Sequence, residues 1–317
     1  MMQISPETQL FIREHSSDDV RVLALQAKKY PDIDMPTAIT QIAGRKVAAE
    51  KIPSWWEIEK IWYPKHLSLE QCSSEITARY KARLLQGDSL TDLTGGFGID
   101  CSFLATGFKS ATYVERQEEL CEIAAHNFPI LNLNHINIKN EDGVTYLQVM
   151  SPVDCLFLDP ARRNEHGGKT VAISDCEPNV AELEELLLQK ANRVMIKLSP
   201  MLDLSLALKE LKQTQEVHIL SVNNECKELL ILLGQTSPAE ISIHCVNLFT
   251  KGTQKEQHFV FTREQEQCSE CTYTDSLETY LYEPNASLLK AGAFRSIAAA
   301  YPVRKLHPNS HLYTSDT

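Results

Sequence analysis

Residues 90–98, LTDLTGGFG, constrain this chain more than any other stretch. Apolar and β-branched residues lead into three glycines within four positions, a pattern that reads as a buried strand running straight into a sharp turn. Residues 99–106 then carry helical spacing, so the N-terminus of a helix points at whatever lies over Gly95, Gly96 and Gly98. Strand, glycine loop and helix together predict a place for a nucleotide-like cofactor. A tight strand-to-helix turn with no ligand satisfies the same residues, so the rest of the chain has to decide.

Three further apolar runs end in polar residues. Residues 111–114 end in Glu115, about 20 residues past the first strand, where a doubly wound fold bonds ribose hydroxyls. Residues 136–138 are followed by Glu141 and Asp142, and residues 153–158 by Asp159-Pro160-Ala161-Arg162. Four strands with polar residues just past their C-terminal ends match the ligand edge of an open α/β sheet. The G-x-G-x-x-G spacing of a dinucleotide site is absent.

Asp92-Leu93-Thr94-Gly95-Gly96-Phe97-Gly98, then Glu115, Asp142 and Asp159-Pro160, resemble the motif series of class I S-adenosylmethionine-dependent methyltransferases. More narrowly, Gln71-Cys72-Ser73-Ser74-Glu75, Asp159-Pro160-Ala161-Arg162-Arg163 and Tyr282-Glu283-Pro284-Asn285 resemble a bacterial group of methyltransferases that end in a THUMP-like domain. The resemblance implies an α/β, Rossmann-like doubly wound methyltransferase sheet with an N-terminal helical domain and a partial THUMP-like segment. It implies an enzyme using S-adenosyl-L-methionine, bound by Gln71, Ser74, Asp92, Thr94, Gly95, Gly96, Gly98, Glu115 and Asp142. Ser73 joins Gln71 and Ser74 by analogy as a contact for the carboxylate end of the cofactor; helix capping by the serines explains them equally well. Asp159 and Pro160 are the expected catalytic pair, orienting an acceptor. Methyltransferases acting on exocyclic amines usually carry Pro-Pro-aromatic after the acid, and Ala161-Arg162 departs from that. Arg162, Arg163 and Lys169 are expected substrate contacts, because a guanidinium fork matches phosphate geometry. The expected substrate is a base in a structured RNA. The alternatives are a small-molecule or protein methyltransferase, or an RNA-binding protein whose methyltransferase fold is inactive.

Boundaries are expected at 1–68 for the helical domain, 69–238 for the methyltransferase domain, 239–279 for a further hairpin and linker, and 280–317 for the start of the THUMP-like domain. Residues 5–14, 17–30 and 35–50 have three- and four-residue apolar spacing, with Ser17 and Asp18 as candidate caps. Pro53-Ser54-Trp55-Trp56 and Tyr63-Pro64 break that pattern and suggest a hinge, its tryptophans packing an interdomain seam. Residues 69–85 read as one helix, with Cys72, Ile76, Tyr80 and Leu84 on a stripe. After Asp159, residues 162–169 form a polar loop on the ligand edge, a candidate substrate loop.

Nine cysteines lie scattered among apolar runs, with no secretory signal and no apolar stretch of membrane-spanning length, which predicts a cytoplasmic protein with reduced thiols and no membrane partner. Cys268 and Cys271 form the one C-x-x-C pair, and without a second pair or paired histidines nearby no metal is expected. The formal net charge of −11 argues against a general nucleic-acid coat. Lys290, Arg295, Arg304 and Lys305, in a stretch with no acid between Glu283 and Asp316, mark a local basic segment that suits an RNA-facing module, one that the family continues past Thr317. The sequence leaves the oligomeric state open.

Overall fold

The N-terminal helices form where apolar spacing and caps coincide. Ser5 caps α1 (Pro6–Glu14) by accepting from Thr8 N–H, and Asp34 caps α3 (Met35–Lys51). Between them α2 (Val20–Leu25) is capped by Asp19, not by Ser17 or Asp18. Phe11, Leu23, Met35, Ala38 and Ile42 close a small core among these three helices. A computed structural model describes residues 4–162, 172–236 and 238–317, and the chain divides into two units, 1–155 and 156–317.

In the first unit, residues 53–56 are not an open hinge. Pro53 starts the short α4 (Pro53–Trp56), and Trp55 is buried edge-on against Phe97, with ring centroids 5.2 Å apart. Trp56 is exposed, so only one of the two tryptophans packs a seam. Ala48, Ile52, Trp55, Tyr63 and Leu69 share one core with Phe97, Ile99 and Leu120, so the helical region and the glycine loop bury surface together. The helix expected over 69–85 is interrupted: α5 (His66–Gln71) ends, and α6 (Glu75–Ala82) starts after Ser74. The break frees Ser73 to join a buried polar cluster described below.

Strands β1 (Ser89–Asp92), β2 (Ser110–Glu115) and β3 (Ile136–Asn140) pair in parallel in that order. Each is followed by a helix: α7 (Ile99–Ala105), α8 (Glu118–Ile130) and α9 (Gly143–Val149). Parallel pairing demands such crossovers, and it places the three strand C-termini at one edge. Asp154 at the start of β4 (Val153–Leu158) accepts from the backbone amides of Asp88 and Ser89, which lowers its pKa and fixes the start of β1.

In the second unit, the short strands β5 (Ala161–Arg162) and β6 (Cys176–Glu177) pair with each other. Helix α10 (Val180–Lys190) leads into β7 (Ala191–Leu198), and α11 (Leu204–Glu210) into β8 (Thr214–Val222). Strand β9 (Glu225–Gly234) runs antiparallel to both β7 and β8. Asn223 and Asn224, both at positive φ, make the two-residue turn between β8 and β9 that such a hairpin favours. The hairpin of β10 (Ser242–Leu248) and β11 (Glu256–Thr262) extends the same sheet, β10 pairing in parallel with β8. Beyond α12 (Arg263–Cys268), strands β12 (Tyr280–Tyr282), β13 (Arg304–Lys305) and β14 (Tyr313–Ser315) make a small antiparallel sheet with α13 (Ala286–Ala291) and α14 (Phe294–Ala300) between β12 and β13. No helix among the described residues is long and apolar enough to cross a membrane.

Candidate cofactor and acceptor site

The turn after β1 is held by groups from two other strands. Asp92 is buried at the end of β1, and its Oδ1 accepts from Thr94 N–H at 2.9 Å. Gly95 N–H donates to the Val114 carbonyl at 2.8 Å, drawing the loop onto β2. Tyr113 lies fully buried beneath it; its hydroxyl donates to the Gly96 carbonyl, and burial, helped by the charge on Glu115, pushes its pKa well up. A Cβ on Gly95 would sit 2.3 Å from the Tyr113 ring, so that glycine is required by the floor of the loop. Gly96 and Gly98 are required by backbone conformation instead, at φ +54° and +87°. Above Gly96 there is room: a Cβ there meets nothing nearer than 3.7 Å.

Glu115 ends β2 with each carboxylate oxygen on a backbone amide, Oε2 accepting from Gly96 at 2.9 Å and Oε1 from Gln117 at 2.8 Å. A carboxylate has about four lone-pair directions, so this lock still leaves capacity for ribose hydroxyls. Asn140, at the end of β3, donates to the carbonyls of Glu115 and Arg116. Asp142 caps α9, its Oδ1 accepting from the amides of Val144 and Thr145. The next residue, Gly143, approaches β1 so closely that a Cβ would lie 2.1 Å from the Leu93 carbonyl oxygen. Asp92, Thr94, Gly95, Gly96, Gly98, Glu115 and Asp142 thus form one cradle at the ends of β1, β2 and β3.

The expected contacts at 71–74 are arranged differently. Gln71 is exposed at the end of α5, and Ser74 sits at the N-cap of α6 without capping it, its hydroxyl lying 3.2 Å from that of Thr77. Ser73 is buried: it donates to Asp100 Oδ2 at 2.7 Å and accepts from Lys81 Nζ at 2.8 Å, while Lys81, fully buried, pairs with Asp100 Oδ1 at 2.9 Å. Asp100 lies in the first turn of α7, so this triad anchors the 71–75 segment to the helix that follows the glycine loop.

In the second unit Asp159, half-buried after β4, pairs with Lys197 of β7 at 2.6 Å. Lys197 is nearly buried, and sequence reasoning missed it; a lysine inside the apolar run from Val194 to Leu198 was the available signal. Pro160 is buried, and Arg162 is at the end of β5. Arg163 and Lys169 lie outside the described residues, as does most of the predicted substrate loop. The basic tail is spoken for internally. Lys290 donates to the Leu202 carbonyl, Arg295 to the Gln267 carbonyl, and buried Lys305 to the Pro308 carbonyl, while Arg304 pairs with Glu278.

A glycine loop closed by strand-end carboxylates at the C-terminal edge of a doubly wound sheet is the arrangement on which open α/β folds place their ligands. The chain is 34% identical to the "putative methyltransferase" from Porphyromonas gingivalis W83, over 100% of this chain and 80% of that one, with a TM-score of 0.85. It belongs to that protein's family, and its fold is the Rossmann-like methyltransferase fold. Residues 280–317 match a ferredoxin-like domain family. Weaker likenesses are to an rRNA methylase from Streptococcus thermophilus (16% identity, TM-score 0.36, 50% of this chain and 93% of that one) and to a Streptococcus mutans protein, SMU.1697c, solved with SAH (14% identity, TM-score 0.36, 50% and 96%). No curated protein sequence matches the chain.

Proposed function

We propose that this protein is an S-adenosylmethionine-dependent methyltransferase whose acceptor is a base in a structured RNA. The observation that carries the cofactor assignment is the lock between Gly96 N–H and Glu115 beneath open space at a left-handed glycine, a cradle that a Cβ and its branches would fill. The bound cofactor supplies a methyl group on a sulfonium, ready for displacement by a lone pair. The backbone of residues 94–98 would hold that cofactor, with Glu115 for its ribose, Asp142 for its adenine, and Gln71 and Ser74 for its carboxylate end. In-line transfer needs positioning and exclusion of water more than reacting protein groups. Asp159 and the carbonyl beside Pro160 accept hydrogen bonds from an exocyclic amine and aim its lone pair, with Lys197 holding the carboxylate in one orientation.

Arg162, Arg163 and Lys169 follow the acid in sequence and supply phosphate contacts, which is the support for RNA. In this reading residues 69–238 are the transfer domain and 280–317, which match the ferredoxin-like family, are a THUMP-like segment. The internal engagement of Lys290, Arg295, Arg304 and Lys305 favours a second reading, a small-molecule acceptor. Calorimetry with S-adenosylmethionine on the full chain and on Asp159→Ala tests the assignment: the variant keeps cofactor affinity and loses transfer. Equal loss of both would make Asp159 a cofactor residue. Mass spectrometry of RNA from a deletion strain then separates the acceptors, since a missing methylated base supports RNA and an unchanged RNA profile moves the reading to a small molecule.

A further inference from the structure

Strands β8, β10 and β11 bring three histidines and a glutamate onto one sheet face, far in sequence from the motifs above. The parallel register sets Ser242 beside Glu216 and His244 beside His218, so residues two apart on each strand stand in adjacent rows. On the other side of β10, Val246 pairs with His258, which puts His258 on the same face and its Nε2 at 3.1 Å from His244 Nδ1. His218 Nε2 lies 3.2 Å from Glu216 Oε2, and the rings of His218 and His244 stack with centroids 4.3 Å apart. One ligand atom each from Glu216, His218 and His244 falls within 4.8 Å of the others.

From this geometry we infer a binding site for a divalent transition metal of the zinc class, with Glu216, His218 and His244 as ligands and His258 beside the fourth position. Ligand atoms about 2.0–2.1 Å from a tetrahedral zinc lie roughly 3.3 Å from one another; His218 Nε2 and Glu216 Oε2 stand 3.2 Å apart, and His258 Nε2, beside the fourth position, is 3.1 Å from His244 Nδ1. Imidazoles with a carboxylate suit zinc and its neighbours, whereas calcium and magnesium take oxygen ligands. The supporting contacts are in place. Arg193 holds Glu216 Oε1 at 2.8 Å, leaving Oε2 toward His218, and the Ser242 hydroxyl lies 3.1 Å from His244 Nε2. Because the ligands come from separate strands, a bound ion cross-ties β8 and β10.

The test is competition of the chelator-stripped full chain for Zn2+ against a chromogenic chelator, repeated with His244→Ala and with Cys268→Ser/Cys271→Ser. The inference expects one equivalent bound by the unmodified chain and unchanged binding by the cysteine variant. His244→Ala should lose more than the roughly 10- to 100-fold typical of removing an outer-shell partner. Zn2+ should also raise the melting temperature of the unmodified chain and not that of His244→Ala. Co2+ spectra of the unmodified chain provide a check independent of any variant: nitrogen and oxygen ligation gives visible d–d bands without a thiolate charge-transfer band. Absence of stoichiometric binding, a thiolate band, or binding lost with the cysteines and kept without His244 would each overturn the site.

Discussion

The glycine cradle of the first unit and the basic tail of the second are both picked out by residue type, yet the structure uses them in opposite ways. In the cradle, the residues that matter are those whose backbone does the work, with Gly95 N–H on Val114, Gly96 N–H on Glu115, and Gly98 at φ +87°. In the tail, the four cations are side chains whose partners, Leu202, Gln267, Glu278 and Pro308, lie elsewhere in the chain or across a turn. A glycine pattern specifies a local conformation, so it survives folding as read. A charge count specifies nothing about what the fold will set beside each charge.

That contrast can be broken by variants, the strongest first. Lys81→Ala removes the buried cation from Asp100 beneath the cradle, and breaking a buried pair from one side costs about 3–5 kcal/mol. Urea unfolding should show a loss of that size; a change like that of a surface pair would mean the triad is no anchor. Gly95→Ala forces a methyl into the Tyr113 ring and should cost about 1–3 kcal/mol in the same assay. Gly96→Val has room for its side chain but must hold a left-handed backbone, a strain of about 1–3 kcal/mol. Calorimetry should find S-adenosylmethionine binding abolished while circular dichroism keeps the helical signal; undiminished affinity would place the cofactor elsewhere.

On the tail side, Arg304→Glu loses a partly exposed pair and sets two acids together, so stability should fall by about 1 kcal/mol or less. RNA affinity and its salt slope should stay unchanged, and a drop in the slope would restore the tail as a phosphate-binding surface. The smallest effect is a pH dependence. Asp154 has its pKa lowered from 3.8, so its contribution is present above that value and fades as pH falls through the lowered one. Asp154→Asn should lower stability modestly at neutral pH, where that contribution is fully present, and flatten its fall over the acidic window, so that urea unfolding of the variant and the unmodified chain converges at low pH.

The sequence made the cradle legible because its requirements are local: a strand end, positive φ, an acid one strand over. Tyr113 and Gly143 were not legible, since their importance lies in a contact with the glycine loop and with the Leu93 carbonyl that only folding creates. The uninterrupted helix read over 69–85 failed for a related reason. Periodicity registers apolar spacing, and it cannot register that Ser73 leaves the helix to bond Asp100, itself paired with Lys81. Lys197 shows a middle case, visible as a cation in an apolar strand but assignable only once Asp159 lies beside it. The histidine face was invisible because it is assembled by strand register across separate hairpins.

Two side-chain amides form a mechanical joint in the first unit. Gln41 of α3 binds both the N–H and the carbonyl of Tyr63, and Asn127 of α8 binds both of those groups on Trp62, all four bonds at 2.9 Å. Two successive backbone residues are thereby clipped from two helices, as a strand would be by its neighbours. A force applied between the first helices and α8 loads these bonds together rather than in sequence. Pulled from its amino end, the chain should therefore resist as a single shear-loaded clip and give way there in one step, instead of peeling off helix by helix.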